Sequence, residues 1–187
     1  NLNIDFENTN NFTDFYRELD IEKALATTTF TANGVTYKRE VFASEPDQVI
    51  VIRLTANQKG KLSFTTYFDG ELQKSSKALD NRTLEMTGLS SSHEGISGQV
   101  KFNATANIIT FGGVKTVKEN GINVSHANEA LILVSMATNF TNYKTLDTNE
   151  TLKSNSFLAK ASKKTYQSLL ENHIKAYQKY FKRVDFD

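Results

Sequence analysis

The sequence predicts a mainly β protein: an antiparallel β-sandwich followed by a C-terminal helical segment. Three observations carry that reading. Residues 24–56 contain three runs in which β-branched and aromatic residues recur at period two, the spacing that sends alternate side chains to opposite faces of a pleated strand. Turn chemistry separates the runs, Asn33-Gly34 after the first and Glu45-Pro46-Asp47 after the second. The apolar period changes from two to 3.6 only after residue 138, so strands come first and helices last.

In chain order, Leu2, Ile4 and Phe6 alternate with Asn3 and Asp5 as a short half-buried strand. Residues 8–11 are polar and turn-prone, and residues 12–21 read as a second strand. The Thr-rich run 24–32 opens a β-meander. Asn33-Gly34 suits a type I′ turn because both residues accept positive φ. Residues 35–43 set Val35, Tyr37, Arg39 and Val41 against Thr36, Lys38, Glu40 and Phe42. Pro46 fixes φ and Asp47 favours the turn before the third run, residues 48–56. There Val49, Val51, Arg53 and Thr55 alternate with Ile50, Ile52 and Leu54, so cover is expected on both faces. Residues 61–68 are expected to continue the meander.

The pattern weakens over residues 69–93, where 82–87 is the one short strand predicted. Strands resume at 96–106 and 107–111, Gly112-Gly113 marks a turn or bulge, and 114–118, 122–126 and 129–137 complete the set. The run LILVSMA is continuously apolar, as expected of a strand covered on both sides. Residues 139–149 form a polar connection. A modest helix is predicted over 150–161 and a better one over 165–184. In the second, Tyr166, Leu169, Leu170, His173, Ile174, Tyr177, Phe181 and Val184 share a stripe. Thr165 is placed to cap it, with Lys179, Lys182 and Arg183 near its carboxyl end.

A length of 187 residues suffices for one sizeable core, and 39% hydrophobic with 23% charged residues is ordinary for a soluble globular protein. Thirteen Phe and seven Tyr without Trp point to a core of aromatic rings. A net charge of +1 gives no electrostatic case for nucleic acid or acidic membranes. Without cysteine there is neither a disulfide framework nor a thiolate metal site. No apolar run approaches the ~20 residues a helix needs to span a bilayer. The chain opens at Asn1 directly on strand-like sequence, which reads as a processed or cut piece and leaves targeting unknown.

RELDI, GVTYKREVFASEPDQVIVIRLTA, the Gly112-Gly113 pair and HANEALILVSMATNF are similar to the N-terminal domain of glycoside hydrolase family 95. YQSLLENHIKAYQKYFKRV resembles the linker of that family. The resemblance implies a sandwich of super-sandwich type over residues 1–138, truncated at its N-terminus, and a connecting loop and helical linker over 139–187. It implies a partner, the catalytic (α/α)6 barrel of the parent chain, and a parent that is a secreted or periplasmic bacterial enzyme. The implied parent reaction is inverting hydrolysis of terminal α-L-fucose or α-galactose, with no metal or organic cofactor. The family's acid is a Glu of the barrel, and an Asp there, helped by Asn residues, activates water. Nothing here matches those motifs, so no catalytic, cofactor-binding or metal-binding residue is carried over, and the chain alone is expected to be inactive. Glycan would be met at most peripherally, and self-association is expected through the last helix. The alternative is a stand-alone carbohydrate-binding β-sandwich. A complete small enzyme ranks behind both, since no nucleophile–base constellation is visible.

The residues themselves offer several candidates. Inverting glycosidases hold two carboxyl groups about 6.5–9.5 Å apart. Glu18 with Asp20, Glu45 with Asp47 and Asp69 with Glu71 are close in sequence, but turns and solvated strand faces account for them. His93, His126 and His173 lack short ligand spacing, and His173 reads as a packing residue on an apolar helix face. Gly112-Gly113 has no Walker or dinucleotide spacing. Arg17 and Arg39 read as strand-face partners of Glu18, Asp20 or Glu40. Tyr67, Phe68 and Tyr143 are the aromatic residues best placed to stack on sugar, although in a chain with 11% aromatic residues core or domain-interface packing outweighs that role. Six Asn-x-Ser/Thr triplets, Asn81-Arg82-Thr83 and Asn103-Ala104-Thr105 among them, arise readily in an Asn- and Thr-rich chain.

Overall fold

The computed structural model describes residues 1–7, 9, 11–71 and 74–183. Strands β3 (Leu25–Ala32), β4 (Val35–Ser44) and β5 (Val49–Ala56) pair antiparallel in sequence order, as the meander predicts, and β2 (Phe12–Asp20) adds to it along the outer edge of β3. Asn33 and Gly34 turn between β3 and β4 at φ 52° and 73°, the positive values a type I′ turn demands.

The next strand departs from expectation. β6 (Leu62–Phe68) does not extend the meander but lies in a second sheet, between β1 (Leu2–Phe6) and a later strand. The free edge of β5 is taken by the last strand of the sandwich, so the chain must leave the first sheet. It does so over residues 57–61, where Gly60 turns at φ 69° and donates its N–H to Asn128 Oδ1 at 2.8 Å.

The remaining strands are β7 (Lys74–Ala78), β8 (Thr83–Leu89), β9 (Lys101–Phe111), β10 (Val114–Lys118), β11 (Gly121–Ala127) and β12 (Glu129–Thr138). The small sheet runs β1-β6-β11-β10 and the large one β2-β3-β4-β5-β12-β9-β8-β7. β7, whose sequence is KSSKA, carries no alternating apolar signal, yet it pairs with β8 as an edge strand. Residues 96–100 are not strand: Ile96 is 74% exposed and meets His93 in an isolated bridge. Residues 101–111, read from sequence as parts of two strands, form one. Gly112 and Gly113, at φ 73° and 74°, carry the chain from β9 in one sheet to β10 in the other. A Cβ on Gly113 would sit 2.5 Å from the Ser125 carbonyl oxygen, so only glycine fits. Asn8 and Asn10 of the predicted turn, and Val184 of the predicted helix, lie outside the described residues.

Two cores follow from the two sheets. Between them, Leu62, Phe64, Ile122 and Val124 of the small sheet meet Leu54, Leu84, Ile108 and Ile132 of the large one, all fully buried. Burial on that scale contributes about 1.5–3 kcal/mol per side chain. Phe6 closes one end of this core, its ring 5.8–5.9 Å from those of Phe30, Tyr37 and Phe64. The second core lies outside the large sheet, where Phe42, Val49, Val51, Leu131 and Leu133 pack under helices α1 (Glu150–Ala161) and α2 (Tyr166–Phe181). β12 therefore sends Ala130, Ile132 and Val134 to one core and Leu131 and Leu133 to the other. That is why its sequence is apolar at both alternations. Ile50 and Ile52 are only half-buried, less than the pattern predicts. A depression lined by Ala43, Ile50, Val134 and Met136 opens beside Ile50, and the four-stranded sheet is too narrow to cover all eight strands opposite.

Both helices are capped by polar side chains. Asn149 Oδ1 accepts from the Leu152 N–H at 2.9 Å, and Thr165 Oγ1, as predicted, from the Ser168 N–H at 3.2 Å. The turn between the helices is pinned to the β4–β5 turn by Asp47. Its carboxylate, 2% exposed, accepts from Ser44 Oγ at 2.7 Å and from the Lys164 ammonium.

Candidate functional site

The outer side of the small sheet carries a groove of about 810 Å³. Period-two alternation builds its floor. Along β6, Leu62, Phe64, Thr66 and Phe68 are buried while Ser63, Thr65 and Tyr67 face out, half-buried. Register places Asp5 of β1 and Asn123 of β11 on either side of Thr65. Asn123 Nδ2 donates to Glu7 Oε1 and to Thr65 Oγ1, each at 3.2 Å, and Ser125 Oγ donates to Asn123 Oδ1 at 2.9 Å. The walls are Asp69, Lys74 and Ser76 on one side and the β10–β11 turn, residues 118–121, on the other. A Cβ on Gly121 would approach Thr66 O to 2.9 Å and Tyr67 Cβ to 3.2 Å; glycine lets β11 start this close to β6.

Electrostatics fix the groups in place. The Asp5 carboxylate lies beside the Tyr67 hydroxyl, and its pull on the phenol proton, with the charge behind it, raises the tyrosine above its ordinary pKa. Asp69 is held below the carboxylate range, first by Lys74 Nζ at 2.7 Å and then by the Gly70 N–H at 2.7 Å. Lys74 also reaches the Gly70 carbonyl. The main-chain carbonyl of Asp69 accepts from the Asn1 ammonium at 2.5 Å. The arrangement offers hydrogen-bond donors and acceptors around one aromatic ring. It holds no nucleophile with an adjacent base, and no group of three His, Cys, Asp or Glu among the described residues is placed to hold a metal ion.

A second constellation escaped sequence reasoning. Arg53 forms a two-pronged pair with Glu129 at 2.8 and 3.0 Å, approaches Glu40 at 3.5 Å and lies 4.6 Å over the Tyr166 ring. Lys38 reaches the other side of Glu40 at 2.8 Å. Burial pushes the Tyr166 hydroxyl up to about 12, helped by the Glu40 charge and opposed by Arg53. No hydrogen bond of standard geometry reaches that hydroxyl, although both groups lie beside it. Arg53 is itself raised, chiefly by its bonds to Glu129. The cluster joins β4, β5, β12 and α2. Its one sequence signal is a charge that interrupts the helix-facing alternation Val49, Val51, Arg53.

The structure separates most of the candidates read from sequence. Glu18 accepts from Tyr16 at 2.9 Å on open β2, while Asp20 takes the Glu22 and Lys23 N–H groups and the Lys23 ammonium. Glu45 is exposed beside buried Asp47, and Glu71 is exposed beside Asp69. Asp69 and Glu71 both line a depression of about 370 Å³ beside Asn1, Met86 and Phe102, where Lys74 engages the Asp69 carboxylate. Glu40 is met by Lys38 and Arg53, not by Arg39. His93 is exposed on a loop, and His126 is exposed at the irregular end of β11. His173 is buried, stacked on Phe42 at 4.8 Å and 2.9 Å from the Lys23 carbonyl oxygen. Phe68 belongs to the core and Tyr143 stands 85% exposed on a loop. Tyr67 and Phe68 both border the groove, but Phe68 is buried in the core, so Tyr67 is the candidate that faces out among its polar side chains.

Residues 1–143 match the family described as "Glycosyl hydrolase family 65, N-terminal domain". Over 209 aligned residues the chain is 28% identical to Alpha-L-fucosidase 2 of Arabidopsis thaliana, covering 98% of this chain and 25% of that protein. A solved structure from the human microbiome, provisionally named a kojibiose phosphorylase, superposes with a TM-score of 0.63 at 13% identity. It covers 96% of this chain, which spans 27% of it. At that identity the likeness concerns the fold alone. The chain spans about a quarter of the length of the relatives it matches.

Proposed function

The chain belongs to the N-terminal domain family of glycosyl hydrolase family 65, and from that premise we propose that it is a non-catalytic sandwich that braces the catalytic part of a glycoside hydrolase. The parent in this reading is a family 95 enzyme that hydrolyses terminal α-L-fucose or α-galactose with inversion. Residues 139–187 link the sandwich to a helical barrel that carries the acid and base. The barrel's substrate is met by this chain at most peripherally, at the rim of the cleft.

One observation carries the proposal. Phe12, Phe15, Tyr16, Leu19 and Ile21, along or just beyond β2, are each more than half exposed, although the two cores of the sandwich are filled. This band continues onto α2. The Tyr177 hydroxyl donates to the Ile21 carbonyl at 2.8 Å, Phe181 stacks on Tyr177 at 5.3 Å, and Tyr180 is open to solvent. Contiguous apolar surface of this kind marks an interaction face. Its position beside the last helix suits a domain that follows in the chain. The test is direct. The purified 187-residue chain should turn over neither aryl α-L-fucoside nor aryl α-galactoside, and the coding sequence after residue 187 should specify a helical barrel. Turnover by the chain itself, lost when a carboxylate pair such as Glu18 and Asp20 is neutralised, would overturn the proposal.

A further inference from the structure

We propose that the groove on the outer side of the small sheet is a saccharide site, in which a neutral, hydroxyl-rich sugar unit lies against the Tyr67 ring. This goes beyond the bracing role and does not rest on it. The helices and their core cover the outside of the large sheet, whereas the groove opens on the outside of the small one. A domain docked through α2 therefore leaves the groove free.

The chemistry of the lining selects the ligand. Its volume, about 810 Å³, falls within the ~300–1,000 Å³ typical of small-molecule sites. An anion is disfavoured, because Asp5, Glu7, Asp69 and Glu119 outnumber Lys74 and Lys118, and Lys74 is already engaged by Asp69 and the Gly70 carbonyl. A metal ion is disfavoured because the carboxylates are strung along the groove and do not converge. An apolar ligand would leave those same carboxylates desolvated and unpaired, which is costly. What remains is a ligand whose hydroxyls both donate and accept and whose ring carries an apolar face. Carboxylates accept only, and ammonium groups donate only. Sugar hydroxyls can satisfy both, in bonds strengthened by the protein's charge. Tyr67 supplies a flat amphipathic surface.

The groove is also fixed before any ligand arrives. Asn123 holds Glu7 and Thr65, Thr66 Oγ1 ties β6 to β1 by donating to the Asn3 carbonyl at 2.8 Å, and the Asp5 carboxylate lies beside the Tyr67 hydroxyl. Groups already ordered lose little freedom on binding.

The experiment is a titration of the isotope-labelled 187-residue chain, followed by the shifts of its backbone amides. The probes are methyl α-L-fucoside, methyl α-D-galactoside and kojibiose, with calcium chloride and sodium phosphate as comparisons. At least one sugar should move the amides of Asp5, Thr65, Tyr67 and Gly121 saturably. Tyr67→Ala should weaken that binding about tenfold or more, while Tyr143→Ala leaves it unchanged. If Tyr67→Ala lowers the melting temperature, Glu7→Ala gives the same reading without loss of the ring. The proposal is overturned by the absence of saturable shifts with all three sugars, by shifts that survive both groove variants, or by a response to calcium or phosphate alone. None of these outcomes bears on turnover, so the bracing role is judged separately.

Discussion

β2 and β12 belong to the same eight-stranded sheet, have similar lengths and are both rich in large apolar side chains, yet they have opposite fates. β12 lies fifth across the sheet with neighbours on both edges, the small sheet on one face and the helices on the other. β2 is an edge strand and is exposed along nearly its whole length. Apolar composition thus marks a surface that gains from cover, while position across the sheet decides whether this chain supplies that cover. Four strands and two helices cover the middle of eight strands and stop short of β2.

Truncating one side chain on each strand should separate the two most strongly. Leu133→Ala on β12 should lower stability by about 2–5 kcal/mol, since the side chain is fully buried and its neighbours cannot all close in. Phe15→Ala on β2 should stay within about 0.5 kcal/mol of the parent. Ile52→Ala falls between them at roughly 1–2 kcal/mol, because that side chain is only half-buried. Urea denaturation reads all three. A loss under ~1 kcal/mol for Leu133→Ala would mean that β12 is not enclosed.

Next in size is the clamp that brings the helices onto β12. Asp47→Ala strands the Ser44 hydroxyl and removes the partner of Lys164. Leaving such groups unsatisfied costs about 1–3 kcal/mol, and the loosened helix turn should also show as faster hydrogen exchange in α1 and α2. An equal change at β2 would show that the two strands are not covered independently, since β2 does not depend on this clamp.

Most strands and both helices were legible because each presents one dominant period. The meander, the Asn33-Gly34 turn, the doubly apolar β12 and the Thr165 cap all follow from local chemistry. What escaped reading depends on partners distant in sequence. That β6 changes sheet is dictated by β12 occupying the edge of β5, nearly eighty residues away in sequence (Arg53 faces Leu131, for example). β7 has no apolar alternation, because an edge strand of Lys and Ser buries little. The groove was half legible: Tyr67 was a candidate, whereas Asp5, Glu7 and Asn123 reach it only through cross-strand register. Arg53 looked like one more strand residue, since the partners that define it come from β4, β12 and α2.

A smaller effect concerns pH at the covered side. The folded-state pKa of Tyr166 is pushed up to about 12 from 10.0, so the folded protein holds that proton more tightly than the unfolded chain. Its contribution is fully present below pH ~10 and is lost as pH rises towards ~12, by at most about 2.7 kcal/mol at 1.36 kcal/mol per unit and by less because solvent screens the partly buried ring. Tyr166→Phe should change stability little at pH 7, since the hydroxyl makes no standard hydrogen bond, and should remove this component of the alkaline fall. Melting curves for both proteins from pH 8 to 11.5 or so would test it; parallel curves would show that the hydroxyl is better solvated than its burial implies.

The smallest effect on stability is expected at β2, and there the informative quantity is association. An open edge strand presents unpaired N–H and C=O groups, and here apolar side chains accompany them. In antiparallel self-pairing centred between Arg17 and Glu18, each Arg17 would face a Glu18 and each Tyr16 a Leu19. This register removes like-charge contacts at the centre of the strand. In the isolated chain β2 should therefore drive reversible self-association, with the neighbouring α2 surface contributing. Leu19→Lys should abolish it, because two lysines would replace apolar groups on the paired strands, while stability stays within about 0.5 kcal/mol. Sedimentation of the parent and the variant over a range of concentrations reads the association, and hydrogen exchange at β2 locates it. A parent that remains monomeric at high concentration, with β2 amides as well protected as those of β12, would mean that the chain covers β2 itself. The contrast between the two strands would then be lost, and with it the main support for a partner domain at that face.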